Sequence, residues 1–123
     1  MLTESQILTA LRDCYDPEIP CNIVDLGLIH SITIQPDLKA PGTGIPNVPQ
    51  KHIVVIALTP TNPTEDAEAH LIAQITNRLA GLETVSQTNL TILKTPHWTP
   101  QDITPAGRRT LGLDGNPTLV QIR

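Results

Sequence analysis

The residues best suited to chemistry lie in one short segment, DPEIPCNIVDLGLI, at residues 16–29. It holds three carboxylates, Asp16, Glu18 and Asp25, together with the thiol of Cys21, on a chain stiffened by two prolines. Carboxylates on such a loop can bind a metal ion, act as a general acid and base, or accept hydrogen bonds from backbone N–H groups. The spacing alone leaves these three roles open.

The two cysteines have different expected roles. Cys14 continues the apolar side of the first predicted helix and is expected in the core, whereas Cys21 lies in the acidic loop and is the candidate metal ligand. Their spacing matches no standard zinc or iron–sulfur motif. Because neighbouring carboxylates raise the pKa of a thiol, an unassisted cysteine nucleophile is not expected.

Further polar residues follow a predicted central strand, in the turn LTPTNPTED at residues 58–66. The free N–H groups of this turn and the hydroxyls of Thr59, Thr61 and Thr64 form a natural anion site, and Asn62 is expected to cap the helix that follows. The turn lacks the glycines and the lysine of a phosphate-binding loop, so nucleotide hydrolysis is not predicted. His97 and Trp98, in the proline-flanked TPHWTP, are either a binding surface or a lid over the core.

Hydrophobic spacing, caps and turn residues predict the elements that position these groups. In chain order we expect a helix over 3–15, a strand over 28–35, a buried central strand over 52–59, a helix that Asn62 caps and Gly81 ends, a strand over 85–94, a short helix over 104–112 and an edge strand over 119–122. His30 falls on the apolar side of the first strand and is expected in the core.

This pattern predicts a small α/β (α+β) domain that spans residues 1–123. It contains a three- to four-stranded mixed sheet with a β-hairpin and one βαβ unit, whose helices pack mainly on one face. Residues 36–50, rich in proline and glycine, are expected to form a long loop within this domain.

Composition narrows the classes of function. The eight basic and twelve acidic residues give a formal net charge of −4, and aromatic residues make up only 2% of the chain. A nucleic-acid binder needs a basic face and stacking aromatics, so that class is not expected. No apolar stretch reaches the length of a membrane span, nothing resembles a secretory signal, and two cysteines suit a reducing compartment. We therefore expect a cytoplasmic protein without a membrane partner.

The segment at residues 16–29 resembles the DPEIPxNIxDLGLI signature of the domain of unknown function fifty-nine family. This family includes SufT-type iron–sulfur cluster assembly factors, cytosolic iron–sulfur targeting proteins of eukaryotes and the PaaD subunit of phenylacetyl-CoA epoxidase systems. The threonine-rich turn and a W-T-P-x-x-I ending at residues 98–113 agree with it, so the resemblance covers about residues 2–113. It implies the α/β fold and a role in maturing metal–sulfur cluster proteins.

The chain departs from the family pattern at one position that matters for chemistry. The family usually carries a cysteine in the turn after the second strand, where this chain has Glu65. That thiol is the family's best candidate for contact with a cluster. We therefore expect Cys21 to reach the same pocket from the neighbouring loop if a thiol contacts iron at all. The loop at residues 36–50 is also longer than the hairpin usual for the family.

The predicted function is an accessory factor in iron–sulfur cluster assembly or delivery that acts through protein contacts, with transient iron or a cluster as its cofactor. Its implied partners are iron–sulfur assembly scaffold, carrier or client proteins and a second copy of the chain. The candidate pocket comprises Asp16, Glu18, Asp25, Thr59 and Asn62, and the candidate partner surface comprises His97 and Trp98. The alternatives are a carboxylate-based or metal-assisted enzyme in that pocket, and a scaffold that has lost cluster binding.

Overall fold

The computed structural model describes residues 2–112. In chain order, its elements are α1 (Glu4–Leu11), β1 (Ile29–Pro36), β2 (His52–Leu58), α2 (Glu65–Ala80), β3 (Val85–Ile92), a 3-10 turn (Pro100–Asp102) and α3 (Pro105–Thr110). The strands form one sheet in the order β1-β2-β3, with β1 antiparallel and β3 parallel to β2. The predicted hairpin, βαβ unit and mixed sheet are confirmed, while the predicted strand at 119–122 lies outside the described residues.

The central strand β2 organises the core. Its side chains alternate between fully buried and half-buried positions, because α1 and α2 pack on one face of the sheet. The buried face joins one aliphatic cluster that includes Val54, Ile56 and Leu58 of β2, Leu71, Ile75 and Leu79 of α2, and Ile7 and Leu11 of α1. No helix within residues 2–112 is long and apolar enough to cross a membrane.

Helix α1 begins as the sequence predicts and ends earlier. The Thr3 hydroxyl accepts a hydrogen bond from the Gln6 N–H at 3.2 Å, and the Gln6 side chain accepts one from the Thr3 N–H at 2.9 Å. The predicted end near residue 15 is wrong, since the helix ends at Leu11. The backbone leaves the helix because Tyr15 pairs with Asn22 across the loop that follows.

Helix α2 begins later than predicted. Thr64, and not Asn62, is its N-cap, and the Thr64 hydroxyl accepts a hydrogen bond from the Ala67 N–H at 3.2 Å. Asn62 is therefore free to contact the neighbouring loop. The predicted end at Gly81 is confirmed.

Candidate functional site

The loop between α1 and β1 divides into an inner and an outer side. We call residues 16–28 the signature loop. The inner side chains include Cys21, Ile23, Leu26 and Leu28, none of which exposes any surface. The outer side, together with Tyr15, is exposed, and we call Tyr15, Pro17, Glu18 and Pro20 the outer surface. Burial of the apolar positions thus anchors the loop and leaves its prolines and Glu18 at the surface.

Asp16 fastens the signature loop to the turn after β2. Its carboxylate is buried: Oδ1 accepts hydrogen bonds from the N–H groups of Glu18 at 2.7 Å and Ile19 at 2.8 Å. Oδ2 accepts a hydrogen bond from the Thr61 hydroxyl at 2.5 Å. Because both oxygens are occupied within the protein, Asp16 positions the loop. The threonine-rich turn indicated a hydroxyl cluster, but nothing in the sequence indicated that Thr61 would meet Asp16.

Glu18 and Asn62 meet as the predicted pocket requires. The Asn62 side-chain amide donates to Glu18 Oε1 at 3.3 Å. Both residues line an open cleft together with Pro17, Thr64, Asp66, Ala67 and His70. Asp16 and Asp25 do not line this cleft, so it presents only one of the three predicted carboxylates.

Asp25 contacts a different part of the chain. Its Oδ2 accepts a hydrogen bond from the Asn22 amide, and Asn22 Oδ1 accepts one from the Asp25 N–H, each at 2.9 Å. The Asp25 backbone carbonyl accepts hydrogen bonds from the Thr104 N–H at 2.8 Å and from the Thr104 hydroxyl at 3.1 Å. Asp25 therefore connects the signature loop to the start of α3.

Two glycines allow the end of the signature loop to approach both α3 and the segment before it closely. Gly27 has a φ of +79°, and a Cβ atom there would lie 2.1 Å from the carbonyl oxygen of Asp102. A Cβ atom on Gly107 would lie 2.5 Å from the carbonyl oxygen of Asp25. The D-L-G and W-T-P-x-x-I motifs, far apart in the sequence, thus pack against each other.

The predicted partner surface at residues 97 and 98 consists of two unlike residues. Trp98 is half-buried against the core, and its indole N–H donates to the Leu26 carbonyl at 2.6 Å, which corresponds to the lid interpretation. His97 is exposed. A partner role for either residue stays a prediction.

Thr59 lies in a small pocket beside this lid. It is buried, and its hydroxyl lies 2.6 Å from Nε2 of His30. The prediction of a core position for His30 is wrong, because His30 is exposed. It is the extra residue of a β-bulge, where the register passes from Ile29↔Leu58 to Ser31↔Ala57. Thr59, His97 and Trp98 help to line a cavity of about 30 Å³, which is large enough for a water molecule but not for a larger ligand.

Comparison with known proteins identifies the family. Residues 4–40 match the model of the iron–sulfur cluster assembly protein family. A curated protein of Porphyromonas gingivalis, the Fe-S protein maturation auxiliary factor, is 30% identical over 96 residues, which cover 78% of each chain. This chain belongs to the iron–sulfur cluster assembly protein family.

Two solved structures share the fold of this family member. The domain of unknown function fifty-nine from Bacillus anthracis aligns with a TM-score of 0.66 at 20% identity, covering 89% of this chain and 92% of that one. A conserved hypothetical protein from Thermotoga maritima aligns with a TM-score of 0.65 at 22% identity, covering 90% and 95%. Both likenesses agree with the α+β fold derived from the sequence.

The structure gives this family member no exposed thiol at the site. Cys21 is fully buried, and burial raises the pKa of its thiol, with a further rise from the charge of Asp25. Glu65, at the position of the family's cysteine, is the exposed first residue of α2. Within residues 2–112, no three His, Cys, Asp or Glu side chains are grouped so that they could hold a metal ion. Metal binding by Cys21 stays a prediction, and burial disfavours it.

Proposed function

We propose that this protein is an accessory factor in iron–sulfur cluster assembly or delivery, and that it acts by contacting other proteins with the outer surface of its signature loop. Family membership and the named function of the Porphyromonas gingivalis relative support the class of function. The two-sided signature loop is the observation that carries the mode of action. Its inner side is fixed in the core and its outer side is presented to solvent.

Hydrogen bonds within the chain fix the backbone at Tyr15, at the start of the outer surface. The Gln74 side chain forms two hydrogen bonds with the backbone of Tyr15. Its amide group donates to the Tyr15 carbonyl at 2.7 Å, and its oxygen accepts from the Tyr15 N–H at 3.0 Å. Tyr15 is still 50% exposed. A preformed surface loses little entropy on binding, and an exposed tyrosine is a common anchor of protein interfaces.

The partners we propose are iron–sulfur assembly scaffold, carrier or client proteins in the cytoplasm. The Glu18 carboxylate, which lines the open cleft, favours a partner segment that carries Lys or Arg. Iron or a cluster would be cargo that passes between the partners. A carboxylate-based enzyme would require at least two carboxylates in one closed cavity, whereas Asp16, Glu18 and Asp25 have separate partners here.

The test replaces the gene in its own cells with variants of the outer surface. Tyr15→Ala and Glu18→Lys should lower the specific activity of client iron–sulfur enzymes and weaken capture of a partner about tenfold or more. Glu83→Lys makes the same charge change at an exposed residue of another turn and should behave as the wild type. If the folded site variants mature their clients as well as the wild type does, the outer surface is not the contact site.

A second experiment separates contact from cluster carriage. The chain is reconstituted anaerobically with ferrous iron and sulfide, beside Cys21→Ser, and bound iron and visible absorption are measured. Contact alone predicts no stoichiometric iron in either protein. Stoichiometric iron that Cys21→Ser abolishes would instead make the protein a cluster carrier, provided that circular dichroism shows the variant to be folded.

A further inference from the structure

The loop that joins β1 to β2, residues 37–50, carries most of the large apolar side chains that the fold leaves exposed. We call it the hairpin loop. Five such side chains are exposed within residues 2–112, and three of them lie in this loop: Leu38 by 74%, Ile45 by 56% and Val48 by 42%. Single exposed aliphatic residues are ordinary on a protein surface, but three in one short loop are typical of an interaction site.

Contacts within the hairpin loop give it its shape. The Thr43 hydroxyl donates to the carbonyls of Asp37 at 3.1 Å and Ala40 at 2.8 Å. Gly42 has a φ of +87°, and a Cβ atom there would lie 2.5 Å from Cγ1 of Val48, so the missing side chain lets Val48 pack on the Gly42 backbone. The loop therefore has a backbone path of its own and presents its apolar side chains outside the core.

The hairpin loop lies at the opposite end of the sheet from the signature loop. β1 leads from one loop to the other over its eight residues, Ile29–Pro36. At about 3.3 Å per residue, the two loops are about 25 Å apart. A protein that binds the outer surface therefore does not need the hairpin loop, which is open to a second partner.

The charges at the two ends of the sheet differ as well. Glu18 makes the outer surface acidic, whereas Lys39 is the one charged residue among residues 38–50. Lys39 is exposed beside Leu38. An apolar loop with a single cation is complementary to an apolar pocket that has a carboxylate at its rim. The loop has no aromatic residue and no cluster of Lys or Arg, so its composition does not favour a lipid surface.

The size of the hairpin loop disfavours a second copy of the chain as the occupant. A standard interface buries about 800 Å² on each partner, and three partly exposed aliphatic side chains provide only a fraction of that area. Two copies that met through these loops would bury no more than this. A concave partner surrounds the loop and adds contact area along its flanks.

We propose that the hairpin loop inserts into an apolar pocket with an acidic rim on a protein partner, and that this partner differs from the one that the outer surface contacts. Leu38 and Ile45, the two most exposed aliphatic residues, are the anchors in the pocket, and Lys39 pairs with the rim. This inference rests on the proposed function, because an accessory factor that passes cargo between proteins must contact two of them.

The test begins with a photo-crosslinking residue, p-benzoylphenylalanine, placed in the full chain in its own cells. At residue 48 it reports on the hairpin loop, and at residue 15 it reports on the outer surface, since both positions are exposed. Mass spectrometry of the cross-linked products should identify different proteins at the two positions. The absence of a protein product at residue 48, or a product that contains only a second copy of the chain, overturns the proposal.

The protein identified at residue 48 is then purified, and calorimetric titration measures its dissociation constant with variants of the full chain. Leu38→Ser and Ile45→Ser should each raise this constant about tenfold or more, because each removes an anchor from the pocket. Ile72→Ser makes the same change at an aliphatic residue of α2 that is 39% exposed, and it should bind as the wild type does. Equal binding by the wild type and both loop variants overturns the proposal.

Two charge variants and a vesicle control separate this inference from its neighbours. Lys39→Glu should weaken the complex, and the loss should shrink as the salt concentration rises, since salt screens the pairing at the rim. Glu18→Lys should leave the complex intact. If Glu18→Lys breaks the complex and the loop variants do not, the partner belongs to the outer surface, so this inference fails while the proposed function stands. Flotation with vesicles of phosphatidylethanolamine and phosphatidylglycerol should leave the chain unbound, and binding that Leu38→Ser abolishes would assign the loop to a lipid surface instead.

Discussion

Two proline-containing connections of this protein have opposite relations to its core. The signature loop contains Pro17 and Pro20, and it is held by side chains that are distant in the sequence, including Thr61, Asn62 and Trp98. The hairpin loop, residues 37–50, joins β1 to β2 and contains three prolines. Its large apolar side chains are exposed: Leu38 by 74%, Ile45 by 56% and Val48 by 42%.

The hairpin loop is stabilised mainly by contacts within itself. The Thr43 hydroxyl donates to the carbonyls of Asp37 and Ala40, and the Val48 N–H donates to the Ile45 carbonyl. Proline content therefore does not decide whether a loop belongs to the folded unit. Buried side chains and partners from elsewhere in the chain decide it, so the signature loop should unfold with the core and the hairpin loop should not.

The largest expected effect on the free energy of unfolding comes from replacing a glycine of the signature loop by alanine, with a glycine of the hairpin loop as the comparison. Gly27 and Gly44 both have positive φ, +79° and +82°, so alanine strains the backbone in both. A Cβ on Gly27 would also collide with the Asp102 carbonyl, whereas a Cβ on Gly44 would meet no atom within 4 Å. Urea denaturation should show a loss of about 3 kcal/mol or more for Gly27→Ala and about 1 kcal/mol for Gly44→Ala.

The difference between these two variants isolates the contact between the signature loop and the segment before α3. Equal losses in the free energy of unfolding would mean that backbone strain accounts for both variants. The contact would then rearrange around the added Cβ without loss of stability. In that case the packing of the D-L-G and W-T-P-x-x-I motifs would not stabilise the fold.

The next effect contrasts an aspartate in each loop. Asp16→Ala leaves two backbone N–H groups and the Thr61 hydroxyl without their acceptor in a buried place, so we expect a loss of about 2–4 kcal/mol in the free energy of unfolding. Asp16→Asn keeps an acceptor for the backbone and should lose less. Asp37→Ala removes a half-buried carboxylate whose pKa is lowered mainly by the Ser86 hydroxyl, and should lose least.

Urea denaturation of these three variants ranks the aspartates directly. Similar losses for Asp16→Ala and Asp37→Ala would contradict the contrast between the loops. The acid dependence gives a further control: since the pKa of Asp37 is lowered in the folded state, its contribution is present at neutral pH and is lost as the pH falls through that lowered value.

The sequence predicted the elements better than the contacts between them. Local signals placed the capping box at Thr3, the central strand β2 and the end of α2 at Gly81, because each depends on residues close together in the chain. The sequence predicts Asn62 as the N-cap of α2, but the turn offers two suitable residues: Thr64 caps the helix, and only the fold directs Asn62 towards Glu18. The bulge at His30 depends on the register between β1 and β2, which periodicity does not reveal.

The candidate site was predicted in part for the same reason. The sequence predicts Glu18 and Asn62 in one pocket, and in the structure their side chains form a hydrogen bond. The sequence also predicts Asp16 and Asp25 in that pocket. In the structure, the Asp16 carboxylate accepts a hydrogen bond from Thr61 and the Asp25 carboxylate accepts one from Asn22, because residues that are close in the signature loop face different parts of the chain.

A smaller effect on the free energy of unfolding comes from the buried thiols. Cys21 lies in the signature loop, whereas the hairpin loop contains no cysteine. Burial raises the pKa of Cys14 and of Cys21 in the folded state. The unfolded thiols ionise from about pH 8.5 upward, so the unfolded chain then binds fewer protons and the free energy of unfolding falls as the pH rises. The slope should approach about 1.4 kcal/mol per pH unit for each thiol.

Urea denaturation between mildly and strongly alkaline pH measures this slope. Cys21→Val, which removes one thiol and keeps an apolar side chain, should reduce the slope while leaving stability at neutral pH nearly unchanged. An unchanged slope in Cys21→Val would show that Cys21 ionises in the folded state as easily as in the unfolded state.

The smallest effect on the free energy of unfolding is expected from the largest change in sequence, the shortening of the hairpin loop. Replacing residues 38–50 by Asn-Gly lets Asp37 and Lys51, whose backbones already pair at 2.8 Å, close a two-residue hairpin turn. The change removes exposed apolar surface and shortens a flexible connection, which costs little because loop closure depends weakly on length. The free energy of unfolding should therefore change by less than about 1 kcal/mol in urea denaturation. A larger loss would show that Ala40, the one buried residue of the hairpin loop, contributes to the stability of the core, and the two loops would then differ in degree rather than in kind.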